Sequence, residues 1–231
     1  MRRRAIVVDA REIGAYRWLA CSDNGPPPRP GQFYMLAAAE RWGGGEGERP
    51  FLPRAFSYLR AVGDRLEFLW EDVGPGTRRL SELRPGDELW VLGPLGNGFE
   101  AGPGPLLVGG VALLGFRDER HAVAAELMSG EVELATDDGS AGHAGFVTEL
   151  LGHALERDPN VTVYACGPPP MLETVRALCA ERDVPAQLAL ESGMACGFGA
   201  CFGCVVPTRT GYVRLCVDGP VLEAAALEAV A

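Results

Sequence analysis

Four cysteines near the end of the chain constrain its fold more tightly than any other feature. The stretch runs Glu191-Ser192-Gly193-Met194-Ala195-Cys196-Gly197-Phe198-Gly199-Ala200-Cys201-Phe202-Gly203-Cys204, and Cys216 follows. A C-x4-C-x2-C run with a distant fourth cysteine is the spacing of a plant-type [2Fe–2S] centre. Four thiolates must converge on two irons, so the backbone has to wrap tightly. Gly197, Gly199, Ala200 and Gly203 leave room for N–H groups to face the sulfurs and stabilise the charge added on reduction. A structural zinc site usually pairs two short hooks; here there is one, and the first gap is four residues. Cys196, Cys201, Cys204 and Cys216 are therefore the expected metal ligands, and electron transfer the expected role.

The other three cysteines, Cys21, Cys166 and Cys179, are scattered. Cys21 and Cys179 read as small apolar residues of a strand and a helix. An odd total without a secretion signal argues against a disulfide framework. No apolar run reaches the ~18 residues of a membrane helix, and the run after Arg2-Arg3-Arg4 is cut short by Asp9, Arg11 and Glu12. The expectation is a cytoplasmic protein. The formal net charge of −10 disfavours a nucleic-acid partner.

The first hundred residues alternate short apolar runs with turn signals. The runs are Ala5–Val8, Tyr16–Ala20, Gln32–Leu36, Ala55–Leu59, Arg65–Trp70 and Glu88–Leu92. Six short strands at this spacing predict a small antiparallel barrel. Beyond Gly102–Pro105 the pattern changes. Strand runs at Leu106–Val108, Val111–Phe116, Val132–Thr136, Val161–Cys166 and Gln187–Leu190 alternate with helical stretches at Glu119–Met128, Phe146–Arg157 and Pro170–Arg182. That alternation predicts a parallel α/β sheet. A short helix is expected over Val221–Val230. The fold class is thus α+β multidomain: an antiparallel barrel over residues 1–100, a parallel α/β domain over 101–191, and a small cluster domain over 192–231.

Two weaker signals lie in the barrel. Arg54-Ala55-Phe56-Ser57 enters a strand, and Gly74-Pro75-Gly76-Thr77 opens a helical stretch at Arg78–Leu83. A Gly-rich turn leading into a helix presents N–H donors to a diphosphate, and Arg54 offers a charge-assisted contact. Alone, Arg-x-aromatic-Ser occurs by chance and Gly-Pro-Gly-Thr is more often just a turn.

Taken in order, these motifs resemble the electron-transfer subunits of the NAD-dependent, two-subunit dihydroorotate dehydrogenases of the ferredoxin-reductase superfamily. The matching residues are Pro30–Phe33, Arg54–Ser57, Gly76-Thr77, Gly93–Phe99, Ala135–Ser140, Cys166–Pro168, Met194–Cys204 and Cys216–Pro220. The resemblance implies FAD held by Arg54, Ala55, Phe56 and Ser57, by Leu69, Trp70 and Glu71, and by Gly76 and Thr77. It implies NAD docking on the α/β domain, with Arg117, Asp137, Asp138 and Gly167 as contacts. It also implies a heterotetramer with an FMN-containing catalytic subunit. Electrons from dihydroorotate, in pyrimidine biosynthesis, would pass through the [2Fe–2S] cluster and FAD to NAD⁺. No catalytic residue is assigned here, since dihydroorotate chemistry would belong to the partner. Phe198 and Phe202 are candidates for its docking surface.

The pattern breaks at one place. Leu106-Leu107-Val108-Gly109-Gly110 runs directly into Val111–Phe116, whereas parallel neighbours need a crossover of about a dozen residues. One long strand, a rearranged sheet, and a segment absent from this sequence all fit, and in each case the diphosphate loop of a NAD site is not visible. Two other functions stay open: a flavin/iron–sulfur reductase subunit of a sulfide, hydrogenase or ferredoxin system, which the tail Cys216–Pro220 does not exclude, and, from this break, a cluster-holding structural partner without NAD activity. The histidines His121, His143 and His153 show no ligand spacing.

Overall fold

The computed structural model describes residues 2–43, 50–100 and 111–228. The expected strand at Leu106–Val108 and the Gly109-Gly110 junction lie outside the described residues, as does the last part of the expected C-terminal helix.

The N-terminal part supplies seven strands: β1 (Arg2–Ile13), β2 (Tyr16–Ser22), β3 (Phe33–Ala38), β4 (Arg54–Ser57), β5 (Arg60–Val62), β6 (Arg65–Trp70) and, after the short helix α1 (Pro75–Ser81), β7 (Glu88–Leu95). They form one antiparallel sheet in the order β4-β3-β7-β1-β2-β6-β5. The sheet curls so that Phe56 of β4 meets Trp70 of β6, ring centroids 5.5 Å apart. No ladder joins its outer strands among the described residues, so the expected barrel is a half-barrel. The run expected as one strand over Ala55–Leu59 ends at Ser57, and the separate strand β5 then pairs with β6 as a hairpin. Inside the curl, Leu19, Cys21, Tyr34, Leu36, Phe68, Leu80, Leu89 and Val91 pack together. Burial pushes the Cys21 thiol up to about 12, as suits an inert apolar residue.

The next part follows the expected alternation. β8 (Ala112–Phe116) leads through α2 (Glu119–Ala122) and a 3-10 turn at Val123–Leu127 to β9 (Val132–Thr136) and β10 (His143–Ala144). These three strands pair in parallel. Then α3 (Val147–Arg157), β11 (Val163–Cys166), α4 (Pro169–Glu181) and β12 (Ala186–Ala189) follow. β11 and β12 are also parallel. The sheet expected as one is two three-stranded pieces among the described residues, β10-β9-β8 and β11-β12-β15. Leu151, Leu155, Leu172, Val175, Cys179 and Leu188 form the core beneath the helices. Cys179 is buried there, as expected.

The tail holds a hairpin, β13 (Val205–Thr208) with β14 (Gly211–Arg214), and β15 (Val221–Glu223). The helix expected at Val221–Val230 does not form over its described residues, 221–228. β15 pairs antiparallel with β12 instead, and Ala224–Ala226 makes a single 3-10 turn. An isolated helix of ten residues is marginal in water, whereas the edge of β12 offers a row of ladder hydrogen bonds. The Leu190 N–H donates to Pro220 O at 2.9 Å at the start of this pairing. None of the helices described is long and apolar enough to cross a membrane.

Phe68 is 0% exposed at the centre of the first core. Phe68→Ala should cost about 3–5 kcal/mol, as truncating a fully packed aromatic does, seen as a lowered urea midpoint relative to the parent.

Candidate functional site

The cysteine loop leaves β12 and turns back on itself at Gly197 and Gly199, whose φ values are +78° and +83°. Only glycine adopts these without strain. A Cβ at Gly197 would stand 2.6 Å from Met35 Cγ, and one at Gly199 2.7 Å from Val217 Cγ2. The hairpin β13–β14 then brings Cys216 back beside Cys204, with Leu215 N–H donating to Cys204 O at 3.0 Å.

The four sulfurs gather two and two. Cys204 Sγ lies 3.2 Å from Cys216 Sγ, and the Cys201 thiol is hydrogen-bonded to Cys196. No three His, Cys, Asp or Glu side chains among the described residues close around a single ion. A two-and-two set is what a dinuclear cluster requires, since each iron takes two protein thiolates. Backbone donors meet the sulfurs as expected: Gly199 N–H reaches Cys216 Sγ at 3.1 Å and Cys216 N–H reaches Cys204 Sγ at 3.5 Å. Burial works to raise the Cys196 thiol, but the N–H groups of Phe198, Cys201 and Ala200, with the Cys201 thiol, outweigh it and hold it at about 6. Burial first, and then the neighbouring Cys204 thiol, push Cys216 up to about 11.

The two pairs face different surroundings. Cys204 and Cys216 are 2% and 3% exposed, packed with Phe33, Met35 and Leu215. Cys201 is exposed, beside Phe198 and Phe202 at 62% and 64% exposure. Arg214 clamps this loop: its Nη1 donates to Gly199 O at 3.3 Å, its guanidinium lies 5.5 Å from the Phe202 ring, and its N–H donates to Asp218 Oδ2 at 2.9 Å. Sequence reasoning missed Arg214, which carries no motif.

Phe33 and Met35 belong to β3, and β3 is hydrogen-bonded to β4, which carries Arg54–Ser57. Arg54 reaches across to the first turn of α1. A Cβ at Gly76 would sit 2.3 Å from Arg54 Nε, so this glycine makes room for the guanidinium. Arg54 Nη1 also donates to Leu52 O at 2.6 Å. The Thr77 hydroxyl accepts from Gly74 N–H at 2.9 Å. Two motifs that are weak in sequence thus meet in space. Leu69 and Trp70 end β6 nearby, with Trp70 Nε1 donating to Ser81 Oγ at 3.0 Å. Ala55 and Ser57 are exposed.

The remaining expected residues stand at C-terminal ends of parallel strands, where open α/β sheets take ligands. Arg117 follows β8, Asp137 and Asp138 follow β9, and Gly167 follows β11. The first three are brought together: Asp138 N–H donates to Arg117 O at 3.3 Å. Asp138 is committed locally. The Ser140 hydroxyl and N–H hold its carboxyl below the usual carboxylate range. Gly167 belongs to the other three-stranded sheet. Arg117 is bonded to Glu71, so two residues expected at different cofactors touch. Of the histidines, His143 pairs with Glu149 at 2.8 Å and His121 with Asp118 at 2.7 Å.

An antiparallel half-barrel followed by parallel sheet is the ferredoxin-reductase-like fold. The NADH-dependent reduced ferredoxin-NADP oxidoreductase structure, described for flavin-based electron bifurcation, has a chain that superposes with a TM-score of 0.73 at 18% identity, covering 97% of this chain and 90% of that one. A ferredoxin reductase in carbazole 1,9a-dioxygenase gives 0.61 at 22% identity, over 80% and 66%. The profile of the iron-sulfur cluster binding domain of dihydroorotate dehydrogenase B matches residues 191–228. The dihydroorotate dehydrogenase B (NAD(+)) electron transfer subunit of Clostridium acetobutylicum is 35% identical over 84% of this chain and 83% of its own. Its namesake in Bacillus caldolyticus is 39% identical over 85% of each. The class defined by fold and site is therefore a chain of ferredoxin-reductase-like fold with an iron–sulfur cluster binding tail. Within it, this chain belongs to the family of dihydroorotate dehydrogenase B (NAD(+)) electron transfer subunits.

Gly199→Ala strains the loop and displaces the N–H facing Cys216. The purified variant should retain less than about a tenth of the iron of the parent, since one lost donor and a repacked Val217 act on the same sulfur, checked by iron and acid-labile sulfide analysis.

Proposed function

We propose that this chain relays electrons from an FMN-containing dihydroorotate dehydrogenase catalytic subunit, by way of a [2Fe–2S] cluster and FAD, to NAD⁺. The observation that carries the reading is the double service of β3. One of its faces packs the buried thiols Cys204 and Cys216, and its edge is paired to β4, the strand of Arg54–Ser57.

In this reading Cys196, Cys201, Cys204 and Cys216 hold the cluster. Arg54–Ser57, the backbone at Leu69–Glu71, and Gly76 with Thr77 hold FAD, Arg54 giving a fixed positive charge to its diphosphate. FAD, once bound, supplies the exchange between two-electron hydride transfer and one-electron steps. Arg117, Asp137, Asp138 and Gly167 line the NAD site, with Asp137 the carboxylate left uncommitted among the described contacts. The division into residues 1–100, 101–191 and 192–231 is retained as functional units, although β12 and β15 tie the second to the third.

The exposed Phe198 and Phe202 beside Cys201 suit docking of the catalytic subunit, because aromatic side chains dominate the centres of such interfaces. A heterotetramer of two subunits of each kind, acting in the cytoplasm in pyrimidine biosynthesis, completes the proposal.

Anaerobic protein should show flavin and [2Fe–2S] absorption bands that both bleach on adding NADH. Bands that persist unchanged after NADH would remove NAD from the relay. Gly76→Ala should drive Arg54 from its place and weaken FAD binding by tenfold or more, about 1.4 kcal/mol, read by fluorescence titration of the flavin-stripped protein, while iron content stays at the parent level.

A further inference from the structure

Glu71 follows β6, in the antiparallel half. Arg117 follows β8, in the parallel half. Their side chains are bonded to each other across the junction. The same Arg117 Nη2 lies 2.9 Å from His121 Nε2, and Glu71 Oε1 is 3.7 Å from that nitrogen. His121 Nδ1 is 2.7 Å from Asp118 Oδ1. These partners fix the ring's tautomer: Nδ1–H donates to Asp118, and Nε2 accepts from Arg117. The ring also meets Tyr16 of β2 edge-on, centroids 5.5 Å apart. Backbone closes the same seam. Ala15 N–H donates to Arg120 O at 3.1 Å, and a Cβ on Gly14 would come within 2.0 Å of that carbonyl. Arg60 Nη2 adds a bond to Leu127 O at 2.7 Å.

The Glu71–Arg117 pair is too exposed to add much stability. What it does is geometric. Arg117 carries the turn that Asp138 N–H bonds to, and Phe116 O just before it accepts from Asp137 N–H at 3.0 Å. Holding Arg117 therefore holds the whole ligand-facing edge of the β8–β9 sheet against the half-barrel.

We propose that the Glu71 side chain is a positioning group, not a cofactor ligand: its carboxylate grips Arg117, and with it His121, and so sets the parallel sheet's C-terminal edge against the half-barrel. The contact stands on its own geometry; its consequence for electron transfer rests on the function proposed above. Hydride transfer needs the reacting atoms about 3–3.5 Å apart, and an error of about 1 Å can cost 100-fold. A loosened seam should therefore slow the reaction at saturating nucleotide. Arg117, released from Glu71, stays available to the nucleotide, so affinity should not fall.

The test uses the full chain loaded with FAD and cluster, comparing Glu71→Gln with the parent. Hydrogen–deuterium exchange at the Ala15 amide and across residues 117–121 should rise about two- to fivefold, as the loss of one exposed ion pair allows, with the melting temperature nearly unchanged. Flavin reduction at saturating NADH should slow about tenfold or more, with KM no higher. Unchanged exchange overturns the proposal. So does faster exchange with an unaltered rate, and so does weaker FAD binding with exchange intact, which would make Glu71 a flavin ligand. If the parent itself is not reduced by NADH, the proposed function fails, while exchange alone still decides whether Glu71 holds the seam.

Discussion

Strand β3 is buried on both faces, and the rest of the structure is arranged around that burial. Tyr34, Leu36 and Ala38 point into the half-barrel core, while Phe33 and Met35 point the other way into the core beneath the cysteine loop. A strand normally alternates between core and water. Here each face has its own hydrophobic cluster, so the half-barrel and the tail are packed onto one shared layer. The docking is reinforced at the strand's beginning. Gln32 Nε2 donates to Gly96 O at 2.7 Å, and Asn97 Nδ2 to Asp218 O at 3.0 Å. The tail is thereby held to the loop after β7.

That shared layer gives the cysteine site an inside and an outside. Two thiols are sealed against aliphatic and aromatic side chains, where few waters reorganise when charge arrives. The other pair lies toward solvent, with Cys201 and two phenylalanines at the surface. The same asymmetry is visible in acidity. N–H donors hold Cys196 low, whereas desolvation holds Cys216 high. An electron carrier needs this combination: one side open to a partner, the other coupled to the protein's own interior.

Much of this was legible in the chain itself. The run Phe33-Tyr34-Met35-Leu36-Ala37-Ala38 has no charged member, as suits a strand covered on both sides, although local sequence announced only a barrel strand over Gln32–Leu36. The glycines flanking Cys196 and Cys201 foretold donors aimed at sulfur, and Gly199 supplies one. The C-terminal alanine-rich stretch misled, because intrinsic helix preference is weak beside an unpaired strand edge that a prediction from local sequence does not contain. Arg54 and Gly76 were each weak signals, because their meaning is the contact between them.

By itself the sequence determined the ligand chemistry, the order of sheet types and the family, because thiolate spacing, glycine placement and strand-versus-helix periodicity are local properties. Only the tertiary structure decided which pair of cysteines is buried, that Arg54 nests on Gly76, and that Glu71 closes on Arg117. These depend on side chains far apart in the chain, and no local pattern encodes a distance between residues that meet only once the sheets are packed.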